Sequence, residues 1–101
     1  MNATPEIREK FLEEITNAIV LLFREYKTAS NNKSLAIMGY VTGLMKALEV
    51  IGIIKQGHDE TVLNGILETV TRVSTIGFEI QPKAVQTIID VAIKKDKGSE
   101  T

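Results

Sequence analysis

Residues 35–54 read LAIMGYVTGLMKALEVIGII, and the reading of this stretch decides the fold. Its twenty residues carry two charges, Lys46 and Glu49. A helix that apolar nearly all round has to be covered on most sides, by other helices, a second subunit or lipid. With residues at about 100° intervals, three arcs separate. Thr42, Lys46 and Glu49 share a narrow polar strip. Ala36, Gly43 and Ala47 line a second strip with Gly39 on its edge. Ile37, Tyr40, Val41, Leu44, Met45, Leu48 and Ile51 form a broad third face. The bulky face suits a core, and the small strip would let another backbone approach closely. Two apolar faces imply two neighbours.

Outward from this segment the chain alternates amphipathic runs with helix-stop signals. Upstream, Thr4-Pro5-Glu6 opens a first helix: Thr4 can cap, Pro5 fits the first helical position and Glu6 suits the positive end of the dipole. Ile7, Phe11, Ile15, Ala18, Leu22 and Tyr26 recur at helical spacing to about Thr28, widened by Leu12, Ile19 and Phe23. Val20 and Leu21 fall outside that stripe. The polar run 29–34 is a turn with Ser34 as the expected cap of the second helix. Ile51-Gly52-Ile53 is a helix stop, a glycine followed by a hydrophobe that folds back on the last turn.

Downstream, Asp59 is the expected cap of a third helix whose core stripe is Val62, Leu63, Ile66, Leu67, Val70, Val73 and Ile76. Ile76-Gly77-Phe78 repeats the stop signal, so residues 45–56 and 70–81 align with Ile-Gly and a final Gln in register. Shared helix-stop chemistry accounts for that echo, and three units would be needed for a solenoid. Pro82 opens a fourth helix with Val85, Ile88, Ile89, Ala92 and Ile93 facing inward and Asp90 outward. The charged tail after Lys94 is expected to fray. The chain reads as one all-α domain over residues 1–101, a four-helix bundle-like fold with an apolar central second helix. The helices are expected at about 4–28, 34–55, 59–76 and 82–95, with a frayed tail over 96–101.

Composition narrows the function classes. Apolar residues make up 44% and charged residues 25% of the 101, an ordinary globular balance. Twelve Lys and Arg against thirteen Asp and Glu give a net charge of −1, without a basic field for nucleic acid. The fourth helix offers only Lys83, Gln86 and Thr87 where a recognition helix needs its base-reading side chains, and Lys94, Lys95 and Lys97 lie at its far end. No cysteine is present, which removes disulfides and thiolate chemistry. A cysteine-free chain whose first ten residues lack a basic segment followed by an apolar one reads as cytoplasmic.

Membrane insertion is the sharper reading of Gly39-Tyr-Val-Thr-Gly43, a small-xxx-small pattern. Lys46 and Glu49 oppose it, at about 2.5–3.5 kcal/mol each at the centre of a bilayer, and no aromatic belt flanks the segment.

Catalytic constellations are missing. His58, the only histidine, precedes Asp59 and Glu60, yet neighbours at a helix start point in different directions and no second histidine or cysteine completes a metal site. Glu13 and Glu14 sit on a solvated face. Ser30, Ser34, Ser74 and Ser99 lack the strand-turn-helix setting of a nucleophile, and no phosphate loop occurs. The expectation is a non-enzymatic protein without metal or cofactor that binds itself, as a homodimer, or another protein. Its candidate interface residues are Val20, Leu21, Met38, Gly39, Tyr40, Gly43 and Ala47. Gly43→Leu should push a close neighbour away, an overpacking cost of about 1–3 kcal/mol. A nucleic-acid-binding regulator and a membrane-associated subunit are the alternatives.

Overall fold

Four helices form a ring in which each packs against two others. The computed structural model describes residues 4–26 and 31–98. Helix α1 spans Pro5–Leu21 and runs into a π-helical turn at Leu22–Tyr26; α2 spans Asn32–Val50, α3 Asp59–Thr75 and α4 Pro82–Gly98. The packed pairs are α1 with α2, α2 with α3, α3 with α4, and α4 with α1. No strand occurs among the described residues, and the fold is an all-α bundle. The Cα radius of gyration, 13.2 Å, matches the ~13 Å of a well-packed chain of about 100 residues.

The core is aliphatic. Ile15 and Ile19 of α1, Val41 and Leu48 of α2, Ile66 and Val70 of α3 and Ile89 of α4 are fully buried. Each such side chain contributes about 1.5–3 kcal/mol by leaving water. The stripes expected for α3 and α4 are largely those observed, with Val62, Leu63, Ile66, Val70, Val85, Ile89 and Ile93 buried and Leu67, Val73, Ile88 and Ala92 packed against them.

Several expectations are corrected. Val20 lies in the core, not outside it. Because α1 contacts both α2 and α4, its buried arc is wider than one stripe and runs through Thr16 to Val20. Ile7 is exposed at the opposite edge of that arc, near the helix start. The α-helical pattern of α1 stops at Leu21, where the π-turn takes over. The expected end at Thr28 lies outside the described residues. The cap of α2 is Asn31, whose Oδ1 accepts the Ser34 N–H at 2.8 Å, so Ser34 occupies the first turn and is buried. The N-cap of α3 is His58, with Asp59 the first helical residue; the His58 side chain makes no capping bond.

Both stop signals take the form expected of them. Ile53 N–H donates to Leu48 C=O at 2.9 Å and Gly52 N–H to Glu49 C=O at 3.1 Å, with Gly52 at φ 84°. Phe78 to Val73 at 3.2 Å and Gly77 to Ser74 at 3.1 Å repeat the pattern, with Gly77 at φ 94°. This left-handed turn ends α2 at Val50, earlier than the expected 55, because only glycine adopts it without a Cβ clash. Ile76 and Phe78 stay outside the core although the α3 stripe includes Ile76: the helix has stopped, and the chain turns away towards Pro82. The connection is held instead from the π-helical turn that follows α1. Arg24 donates to Ile80 C=O at 2.9 Å and to Gln81 Oε1 at 3.2 Å.

Candidate functional site

Helix α2 has the neighbours its bulky face demands and lacks the one its small face would accept. Val41, Met45 and Leu48 are buried between α1 and α3. On the opposite arc lie Leu35, Ala36, Gly39, Tyr40, Gly43 and Val50, all exposed. Val50 is 75% exposed, Leu35 54% and Tyr40 48%. Ala47, at the margin, is half-buried. Only Thr42 and Lys46 interrupt the arc with polar groups. A Cβ built on Gly39 or Gly43 would meet nothing within 4 Å. Among the described residues, therefore, no other helix makes the close backbone approach expected at this strip. These six exposed apolar or glycine positions extend over about 22 Å of helix, broken by Lys46 between Gly43 and Val50, and form a cluster unlike the isolated exposed residues of an ordinary surface.

The structure brings Gly39, Tyr40, Gly43 and Ala47 onto one surface. Met38 stands on the flank nearer the core and is half-buried. Leu21 is exposed on α1, and Val20 is withdrawn inside.

Tyr40 links this arc to a cleft of about 520 Å³ between α1 and α2, floored by Ile7, Phe11 and Leu44 and edged by Glu6, Lys10 and Glu14. Its hydroxyl donates to Glu14 Oε2 at 2.6 Å. That hydrogen bond, with some burial and the Glu14 charge, raises the Tyr40 phenol above its ordinary value by disfavouring the phenolate.

A second cluster forms where the α2–α3 connection meets the end of α4. Asp96, its side chain 6% exposed, faces His58 Nδ1 with Oδ1 at 2.7 Å and accepts the Lys55 N–H on Oδ2 at 3.0 Å. Burial alone would push this carboxyl up; the Lys55 N–H, the His58 ring and the charges of both residues outweigh it and hold it below the usual range. Glu49, 8% exposed, accepts the Gly57 N–H at 2.9 Å and pairs with Lys46 Nζ at 3.0 Å, an ion pair more than an aligned hydrogen bond. The Gly57 N–H first, then Lys46, and Asp59 with them, lower the Glu49 carboxyl against the cost of its burial. The Lys46 ammonium is raised in return by Glu49, with smaller help from Asp59 and Glu60.

Sequence reasoning missed this cluster. It placed Glu49 on a narrow polar strip without a partner from the α2–α3 connection and read residues from 96 onward as fraying, whereas α4 is helical to Gly98. The visible signal was a lone aspartate among lysines at a helix end, where the dipole favours cations. A carboxylate there needs donors of its own.

Among the described residues no three His, Asp or Glu side chains converge to hold a metal ion, and no helix is long and apolar enough to cross a membrane. No family model, no curated protein and no solved structure matches this chain.

Proposed function

We propose that this protein is a small helical protein–protein interaction module that works in the cytoplasm as a homodimer, joined through the outer arc of α2 and with no catalytic step of its own. The observation that carries the reading is the uncovered arc itself: Leu35, Tyr40 and Val50 exposed beside Gly39 and Gly43, with open space over both glycines. Exposed glycines in a helix interior each cost about 1 kcal/mol relative to alanine. A second helix seated on them would turn that cost into close contact. The arc also suits a two-fold contact electrically, because its one charge, Lys46, is already paired with Glu49 in the same chain. Two like faces can then meet without repulsion.

The test is solution mass by light scattering over a concentration series, without detergent. Twice 11.1 kDa is expected, and Val50→Glu, which puts a bare carboxylate in the seam, should return the mass to 11.1 kDa with helical content unchanged. A monomer at all concentrations would overturn the homodimer.

A further inference from the structure

The cleft between α1 and α2 is apolar at its floor and charged along its rim. Ile7, Phe11 and Leu44 floor a volume of about 520 Å³. The two helices leave that floor open to water: Ile7 is 41% exposed, and Phe11 and Leu44 are half-buried. Glu6, Lys10 and Glu14 follow one another at successive turns of α1 along the rim, about 12 Å from first to last. Among the described residues none of the three has an ion-pair partner. Tyr40 closes the α2 side. Its hydroxyl donates to Glu14 Oε2 at 2.6 Å, which holds the carboxylate in place and leaves Oε1 to accept a further donor.

We propose that this cleft binds a small organic cation with an apolar body, a lipophilic ammonium whose hydrocarbon lies on Ile7, Phe11 and Leu44 and whose charge sits at Glu14. Ligand sites between the helices of a bundle have volumes of about 300–1,000 Å³, mostly apolar linings and a few polar groups that fix orientation. This cleft has that size and that lining. Charge complementarity sets the sign of the ligand, two carboxylates against one ammonium. The flexible stem of Lys10 lets its ammonium stay in water clear of the floor, whereas the Glu14 carboxylate is fixed by Tyr40. The rings of Phe11 and Tyr40 line the same cleft, and aromatic faces attract an ammonium and not a carboxylate.

A second groove of the same fold supplies the contrast. Between α3 and α4 a volume of about 430 Å³ is lined by Gly65, Ile88 and Val91, but Arg72 and Lys95 stand on its rim. Its one acid, Glu68, lies 3.5 Å from Arg72. An organic cation therefore tells the two grooves apart. Tyr40 is the residue that the α1–α2 cleft shares with the outer arc of α2. The floor lies on the α1 side of it, so the site goes beyond self-association and does not depend on it.

The test is a titration of the full chain with octyltrimethylammonium, below micelle formation, followed by amide NMR shifts. The amides of Ile7, Phe11, Glu14 and Leu44 should move together and saturate with a Kd of about 1 mM or tighter, while those of Gly65 and Val91 stay still. Octanol and octanoate carry the same chain without the positive charge and should bind more weakly. Glu14→Gln keeps an acceptor for the Tyr40 hydroxyl and removes the charge; it should weaken the cation roughly fivefold, the upper range for an exposed ion pair, and leave octanol unchanged. Absence of a saturable shift overturns the site. So does octanoate or octanol binding as tightly as the ammonium, or a shift that is as large at Gly65 and Val91 as in the α1–α2 cleft. Solution mass reads the arc and these shifts read the cleft, so either can fail without the other.

Discussion

Ser34 shows how a single residue can stand on the wrong side of an energetic choice. It is fully buried, and its hydroxyl has no hydrogen-bond partner among the described residues. A buried unsatisfied polar group costs about 1–3 kcal/mol. Ser34→Ala removes the hydroxyl and barely changes the volume, so thermal unfolding should show a gain of about 1 kcal/mol. Asp96 is the opposite case, a buried carboxylate with a partner on each oxygen, and Glu49 has the Gly57 N–H on one oxygen and the Lys46 ammonium beside the other. Both titrate below their unfolded values. Their stabilisation is therefore full above the ordinary carboxylate range, about pH 4, and is lost as pH falls through the lowered folded-state values. In acid titrations followed by circular dichroism, Asp96→Asn should be less stable than the native chain near neutrality. That gap should close towards low pH. A gap that stays constant would mean the carboxylate charge contributes nothing.

At the scale of the element, the two stop signals are a controlled comparison. Ile51-Gly52-Ile53 and Ile76-Gly77-Phe78 make the same hydrogen-bonded turn. Ile53 is buried beneath it, whereas Phe78 is 67% exposed. Local chemistry ends the helix in both places; what lies under the turn settles whether its hydrophobe is covered. Helix α2 poses the same question along its length. If its outer arc is a dimer seam, Gly43→Leu should leave the protomer folded, since among the described residues nothing outside the local helix backbone lies within 4 Å of the new Cβ and leucine favours the helix over glycine by about 0.8 kcal/mol. The overpacking would fall wholly on the second subunit. Sedimentation of this variant should show a folded monomer; a variant that fails to fold would place the missing neighbour within the chain.

For the whole molecule, association and stability become one quantity. A homodimer seated on α2 is stabilised by mass action, so its melting temperature should rise with protein concentration. A melting temperature that is flat over a hundredfold range of concentration, with a mass of one chain, would mean that the arc stays bare. The bundle itself does not depend on that result: each of its helices has a buried face within the chain, and the ring of four contacts closes without help.

The sequence by itself determined the number of helices, their order, most of their inward stripes and both glycine stops, because these follow from period, caps and left-handed turns, which are local. It also marked α2 as having one face too many. Only the tertiary structure decided which face was covered. Val20 went inside because α1 serves two neighbours, and Gly39 and Gly43 stayed outside because no other described helix reaches them. The same holds for the end of α4: Asp96 lies 38 residues from His58 in the chain, and nothing in the charged run around it says that a carboxylate will find two donors there. Burial and pairing depend on what the rest of the chain brings to a residue, and no local pattern encodes that.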